Sequence, residues 1–411
     1  MRVAVIGGGI VGVTTALTLQ RDGHDVVLIE SDEVGMGCSY GNGGAISPDF
    51  CVPLAMPGML KRVPRWFSDP LGPLVVRWQY LPGALPWLIR WVREGRDISR
   101  VRENSRAMNA IHRQALGDYQ GLLGDQYHKL IEKTGQIYVW QHDRSGPVEL
   151  LAKSLREAQG VEARALTKDE IRAIDPALSE VYDKGLFFPD NAHTTNPLKL
   201  VQQLASQFLA QGGRCEKDTF KRFAIGSQRS ATSARCSNAD VDADYFVLAT
   251  GIRGATMARD LGDRVLVQAE RGYHVMLPEP GVVPAIKISN RDHMFGMAPM
   301  ELGVRISGTV EIASPDAPPD YRRAQALLTR AKQMYPGLNG EGAQFWMGSR
   351  PSSPDSLPVI DRASKATNVI YAFGHGHSGL TSAPMTARLV SSLISGAPAP
   401  IDLHPFRHSR F

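Results

Sequence analysis

Gly7-x-Gly9-x-x-Gly12 stands where a short apolar run, Arg2–Ile6, gives way to a helically spaced segment, Ile10–Gln20. Glycines at this spacing, set directly between a strand and a helix, leave few folds open. The first permits a tight turn, the second lets backbone approach a pyrophosphate, and the third lets helix pack on strand. The helix N-terminus then offers unpaired N–H groups and partial positive charge to phosphates at Gly7, Gly9, Ile10, Val11 and Gly12. A second β-branched run, Val26–Glu30, follows the turn-like Asp22-Gly23-His24-Asp25 and completes β–α–β within thirty residues. Glu30 ends that run eighteen residues past Gly12, where a carboxylate accepts from ribose hydroxyls and opposes a 2′-phosphate. A merely tight turn explains the glycines but neither the second strand nor the acid.

Nicotinamide enzymes usually need only one such unit, yet two further strands here end in small residues. Tyr245–Leu248 runs into Ala249-Thr250-Gly251, and Val369–Phe373 runs into Gly374-His375-Gly376-His377-Ser378-Gly379 ahead of a helix from Leu380 to Ile394. A helix start of that kind can aim N–H groups at the pyrimidine edge of a flavin, where negative charge collects on reduction. FAD is the expected cofactor. It is expected to be non-covalent, since no cysteine or histidine stands in a recognised attachment motif.

The length, 411 residues, suits two domains, and 43% hydrophobic with 21% charged residues excludes disordered and fibrous classes. Cys38, Cys51, Cys215 and Cys236 form no CxxC pair and no metal-ligand spacing, so inert buried thiols, no metal and a reducing cytoplasm are expected. No run of eighteen apolar residues offers a transmembrane helix. The N-terminal MRVAVIGGG, with one basic residue and three consecutive glycines, reads as strand and turn rather than as a signal sequence. A net charge of +5 gives no argument for nucleic acid, but its distribution is uneven. Between Lys61 and Arg96 lie seven basic residues against two acids, with four of the six tryptophans, Trp66, Trp78, Trp87 and Trp91. That pattern fits an interfacial amphipathic segment or, equally, a subunit interface or ordinary helical cover.

Gly135–Trp140, Gly185–Phe188 and the alternating runs between Val265 and Ile312 predict a second, antiparallel sheet, with helices at Leu198–Ala210 and Arg322–Met334. The fold class expected is α/β, a Rossmann-like unit with a second α+β domain. Seven stretches then carry a likeness. They are Val3–Gly12 (VAVIGGGIVG), Ser39–Pro48 (SYGNGGAISP), Phe246–Gly251 (FVLATG), Arg271–Tyr273 (RGY), Ala298–Glu311 (APMELGVRISGTVE), Gly348–Pro358 (GSRPSSPDSLP) and Gly374–Thr381 (GHGHSGLT). In order and content the chain resembles the D-amino-acid-oxidase-like family of FAD-dependent oxidoreductases, and within it the bacterial D-amino acid dehydrogenases.

The resemblance implies a discontinuous FAD-binding domain, 1–55, 190–264 and 345–411, and a substrate domain, 56–189 and 265–344, whose mostly antiparallel sheet roofs the flavin. It implies oxidative deamination of a D-amino or D-imino acid, by hydride transfer from the α-carbon to flavin N5 and hydrolysis of the imine. A quinone or another carrier is the expected acceptor, reached in the cytoplasm or at the inner membrane face through 61–96. Ser39, Gly43, Gly44, Ala45 and Ile46 are implied as flavin-loop contacts, Thr250 and Gly251 as further cofactor contacts, and Gly376, His377, Gly379, Leu380 and Thr381 as contacts at the pyrimidine edge. Arg350 in GSRP resembles the family's carboxylate-binding arginine, whose fork of donors matches a carboxylate. Tyr273 either caps the same carboxylate or packs in the core. His375 and His377 either reach the flavin or serve only their backbone, and His293 and Arg305 are strand residues that could face substrate. Cys38-Ser39-Tyr40-Gly41 departs from the family pattern. Pro189–Pro197 (PDNAHTTNP) resembles instead relatives acting on cyclic imino acids such as cis-4-hydroxy-D-proline. The rival readings are an oxidase or dehydrogenase of secondary amines such as sarcosine, and a flavin-binding electron-relay subunit.

Overall fold

The glycine-rich turn lies at the end of the central strand of a parallel sheet in the computed structural model, which describes residues 1–58, 69–141, 146–226 and 229–411. Arg2–Ile6 pairs in parallel with Asp25–Glu30 on one side and with Tyr245–Leu248 on the other. Val369–Phe373 lies beside Tyr245–Leu248, and the edges are Arg214–Lys217 and the antiparallel Val359–Arg362. The central strands are covered on both faces, which is why they read as unbroken apolar runs rather than alternating ones. Helices Ile10–Arg21, Pro197–Ala210 and Gly379–Ser395 pack on one face through Leu17, Val201, Leu204 and Leu389. The other face meets Gly254–Asp260 and a small three-stranded sheet through Phe220, Ala234 and Ala258. Pro197 at the first helical turn and the Asn196 side chain, accepting from the Lys199 N–H at 3.0 Å, start the second helix. Gly396, at φ +73°, ends the third in the left-handed conformation a C-terminal cap requires.

Among the described residues the second sheet has nine strands. Gln344–Ser352, Gln268–Leu277, Gly303–Ile312, Phe295–Met300, Lys287–Asn290, Gln136–Trp140, Lys184–Phe188 and Arg164–Leu166 follow in spatial order, with Leu74–Val76 beside Gly303–Ile312. Most pairs are antiparallel; Lys287–Asn290 with Gln136–Trp140 is parallel, as is the Leu74–Val76 pair. Along Gln268–Leu277 the side chains alternate. Tyr273, Val275 and Leu277 enter the core beneath helix Arg322–Met334, so Glu270, Gly272, His274 and Met276 occupy the opposite, more polar face.

Several expectations shift. The boundary at residue 345 falls inside a strand, Gln344–Ser352, that belongs wholly to the second sheet. Helices Ile98–His112 and Ala115–Leu123, expected with the substrate domain, share the first core. Met108, Ile111 and Tyr119 pack with Leu17 and Leu389, and the Tyr119 hydroxyl donates to the Leu380 carbonyl at 2.7 Å. Of the four cysteines only Cys51 is buried, whereas Cys38 and Cys215 reach the surface. The tryptophan-rich stretch divides as well. Trp87 and Trp91 are buried and stacked, with ring centroids 5.8 Å apart, and the Trp87 indole N–H donates to the Ser352 carbonyl at 2.8 Å. Those two rings therefore serve the interior. Trp78 is 76% exposed, while Lys61, Arg62, Arg65 and Trp66 lie outside the described residues. Among the described residues no helix is long and apolar enough to cross a membrane.

Trp87→Ala should therefore cost about 3–5 kcal/mol of stability, and Trp78→Ala no more than about 0.5 kcal/mol, in denaturant unfolding of the holoprotein. The reverse ranking would turn that helix face toward solvent.

Candidate active site

The first part of the site is a cradle at the C-terminal ends of the parallel strands, where ligands of such sheets bind. Gly7 has φ +108°, and a Cβ there would lie 2.5 Å from the Ala249 carbonyl oxygen. A Cβ on Gly12 would overlap the Gly7 carbonyl oxygen. At Gly9, by contrast, a Cβ would meet only the Ser39 hydroxyl, at 3.5 Å. Two glycines are thus spent on packing, and the middle one opens space above the helix. That helix begins without a side-chain cap and without an acid in its first turn, so its N–H groups keep their pull on an anion. Ser39 sits over it, accepting from the Ile10 N–H at 3.0 Å. Glu30 accepts from the Gly8 N–H at 2.5 Å and from Ser31 and Asp32 at 3.0 Å, which fixes its carboxylate beside the turn. Thr250 and Gly251 lie just past Ala249, on the far side of Gly7. The open helix start, glycine floor and fixed carboxylate fit a dinucleotide.

The second part is the loop through residues 39–46, held between the two sheets. Arg305 donates to the carbonyls of Tyr40 at 2.9 Å and Asn42 at 2.6 Å, and Lys287 donates to Gly43 at 2.9 Å. His274 Nδ1 lies 3.2 Å from the Gly41 carbonyl. Burial, then the neighbouring Arg305, pushes Lys287 down to about 8 and His274 down to about 3. Below the loop, Ala45–Ile46 pairs with Ala192–His193, and the Thr194 N–H donates to the Gly44 carbonyl at 2.8 Å. Pro189–Pro197 is therefore a backbone partner of the loop. Gly44 has φ +74°, and a side chain there would also overlap the Thr194 carbonyl, so both favour glycine. The Ser47 N–H donates to Thr381 Oγ1 at 3.0 Å, which brings Gly43–Ile46 beside Gly376–Thr381. The helix at Gly379 also starts without a side-chain cap.

The third part lies on the polar face of the second sheet. Gly272 and Gly348 are cross-strand partners, as are Glu270 and Arg350, and His274 and Trp346. A Cβ on Gly272 would overlap the Arg350 guanidinium, and one on Gly348 the Trp346 ring. The paired glycines make a shallow floor that these two large side chains fill. Trp346 stacks on His274 with centroids 4.9 Å apart, and Tyr40 meets its edge at 6.1 Å. Arg350 donates to the Thr309 carbonyl at 3.1 Å and has no ion-pair partner among the described residues. Its cross-strand neighbour Glu270 is taken by His377, Nε2 to Oε2 2.6 Å. Burial alone would raise the Glu270 pKa; the bond and charge of His377, with Arg350 and Ser352 behind them, hold it below the ordinary value instead.

Three expected residues stand elsewhere. Tyr273 points into the opposite face, donating to Glu311 at 2.8 Å and accepting from the Asp320 N–H at 3.0 Å, because its odd place in the strand alternation turns it away from Arg350. His375 is buried with Nε2 3.0 Å from Thr386 Oγ1, and burial pushes it down to about 3, so the ring stays neutral behind the loop. His293 lies in the turn after Lys287–Asn290 rather than on a strand. Arg305 faces the loop carbonyls. The residues not singled out from sequence are Glu270, His274, Lys287 and Trp346. Glu270, His274 and Lys287 had one visible signal, a charged or polar residue within a largely apolar strand, and Trp346 had none. No cluster able to hold a metal occurs among the described residues.

Residues 2–393 match the family described as FAD dependent oxidoreductase. The chain belongs to that family. This FAD-dependent oxidoreductase is 35% identical over 416 residues to a D-amino-acid oxidase of Bradyrhizobium diazoefficiens, with 100% of the chain and 98% of the relative covered. It is 28% identical to a D-amino acid dehydrogenase of Paramagnetospirillum magneticum, over 100% of the chain and 99% of the relative. Among solved structures, L-proline dehydrogenase from P. horikoshii superposes with a TM-score of 0.76 at 17% identity, covering 100% of this chain and 97% of that one. Glycine oxidase from Geobacillus kaustophilus gives 0.74 at 19%, covering 100% and 99%. At those identities the structures bear on the fold.

Glu30→Ala should weaken FAD retention by roughly 10- to 150-fold, the worth of a charged-group hydrogen bond of about 1.5–3 kcal/mol. Glu33→Ala, which removes only a surface pair with Lys217, should leave retention unchanged. Equal FAD loss from the two variants on dialysis would remove Glu30 from the ribose.

Proposed function

We propose that this FAD-dependent oxidoreductase is a D-amino acid dehydrogenase, which oxidises the Cα–N bond of a D-amino or D-imino acid to an imine that water hydrolyses to a 2-oxo acid. The observation that carries the reading is Arg350, a half-buried guanidinium on the cofactor side of the sheet. It spends one donor on a backbone carbonyl and, among the described residues, forms no ion pair, although Glu270 acts on it from the neighbouring strand. A substrate carboxylate is the natural complement to that fork. Glu270, adjacent by register, would compete for it but is committed to His377. Trp346, Tyr40 and neutral His274 supply apolar and aromatic wall around the guanidinium, which strengthens a charge pair formed there. Both relatives are named for D-amino acids, one as an oxidase and the other as a dehydrogenase.

FAD, held without a covalent link by the cradle and loop, supplies when bound the two-electron acceptor that takes hydride from the substrate α-carbon at N5. The chain's own part is to fix the carboxylate at Arg350, to shut water away with the sheet face, and to receive an amine already neutral, so that no dedicated base is needed. Cyclic imino acids such as cis-4-hydroxy-D-proline fall within the proposed substrate class. A quinone or another carrier receives the electrons afterwards. Exposed Trp78, Leu85 and Ile89, not the buried Trp87 and Trp91, are the residues proposed to meet a membrane or carrier.

Losing one partner of a buried charge pair typically costs about 2–5 kcal/mol. Arg350→Ala should therefore lower kcat/KM for D-amino acids by roughly 30- to 3000-fold. Arg350→Lys, which keeps charge but loses the fork, should fall between, and the flavin spectrum should survive in both. Turnover by Arg350→Ala within about threefold of the parent, well under one factor of ten, would place the carboxylate clamp elsewhere.

A further inference from the structure

A second cavity lies between helix Pro147–Ala158 and the strands Gln136–Trp140, Arg164–Leu166 and Lys184–Phe188, with a volume of about 390 Å³. That size is in the range of small-molecule sites. Tyr138, Trp140, Leu150, Ala165 and Leu186 give it an apolar and aromatic lining. Of the charged residues that also line it, Arg156 is the most deeply buried. It is only 7% exposed and lines the cavity, and its side chain makes no hydrogen bond or ion pair among the described residues; the Phe188 ring lies 5.6 Å from the guanidinium carbon.

A buried cation with no counter-charge is costly, and its surroundings increase the cost. The neighbouring side chain is a second cation, Arg291, set over the Tyr138 ring at 5.5 Å and bonded to Glu149 at 3.0 Å. The other acid lining the cavity, Glu157, pairs at the surface with Lys153 at 3.8 Å. Cys51 brings no charge either, since burial pushes its thiol up to about 11. Lys184 adds positive potential to the wall. Among the described residues, the two carboxylates that line the cavity are paired with other cations, Glu149 with Arg291 and Glu157 with Lys153; Glu149 acts on Arg156 only at a distance.

We propose that this cavity is a binding site for a small amphipathic organic acid, its carboxylate on Arg156 and its apolar or aromatic body against Tyr138, Trp140 and Leu186. The site is separate from Arg350. Five strand spacings divide Gln344–Ser352 from Gln136–Trp140, or about 24 Å at ~4.8 Å each. It does not depend on the proposed reaction, because none of its residues belongs to the cradle, the loop or the Arg350 face.

The test is calorimetric titration of the holoprotein with 4-phenylbutanoate, carried out in the Arg350→Ala background so that the substrate carboxylate site is removed. One binding event is expected, weakened at least about 30-fold by Arg156→Gln, and less by Arg156→Lys. Ala165→Trp, which fills the cavity and leaves Arg156 in place, should weaken it too, and decides the matter if Arg156→Gln fails to fold. The neutral 4-phenylbutanamide should bind at least about tenfold more weakly than the acid. With Arg350 intact, Arg156→Gln should turn over D-amino acids at the parent rate without added acid. The proposal is overturned if no binding tighter than roughly 1 mM is seen, if the amide binds as well as the acid, or if Arg156→Gln and Ala165→Trp both titrate like the parent.

Discussion

The two halves of the molecule meet through cations that reach down from one sheet to grip the backbone of a loop belonging to the other. Arg305 holds the carbonyls of Tyr40 and Asn42, and Lys287 that of Gly43. Neither has an acidic partner among the described residues, so the carbonyl dipoles are what offset their burial. Remove them and the loop loses its roof, its remaining ties run mostly to the cradle side, and the distance between cradle and sheet face is no longer set. The arrangement also leaves positive charge beside a loop that serves a cofactor expected to gain negative charge on reduction.

The sheet face has a related logic. Glycine inside a strand is ordinarily a weakness, having no side chain to pack. Here Gly272 and Gly348 stand opposite one another, and the space they leave is occupied by Arg350 and Trp346. Two glycines in register therefore fix where a large cation and a large aromatic lie, and His377 disposes of the one carboxylate that would otherwise neutralise the cation.

Much of this was legible in the chain. The glycine turn, Glu30, the three glycine-ended parallel strands and the helices Arg322–Met334 and Gly379–Ser395 carry local signals strong enough to read without tertiary knowledge. What could not be read depends on which face of an element meets which partner. Period-two alternation put Arg271 with Tyr273 and Glu270 with Gly272, but nothing local said which pair faced the cofactor loop, and a single position reverses the answer. The same holds for His375 and His377, neighbours in one loop, of which the first turns to Thr386 and the second to Glu270. Ile98–His112 and Ala115–Leu123 are amphipathic helices whose apolar stripes fit either core; their packing on Leu17 and Leu389, with the Tyr119 bond to Leu380, assigns them to the first. Trp87 and Trp91 looked interfacial because tryptophan beside arginine has that appearance in sequence, although burial is equally open to it.

The account's central claim is that a dinucleotide cradle and a carboxylate-seeking sheet face cooperate on a D-amino acid within one chain. Anaerobic titration of the purified holoprotein, without any partner protein, tests this most directly through the flavin absorbance. The account predicts bleaching by D-amino acids, none by their L-enantiomers, and little by amines that lack a carboxylate. Bleaching by amines regardless of carboxylate, or none by any D-amino or D-imino acid until a partner protein is added, would contradict it.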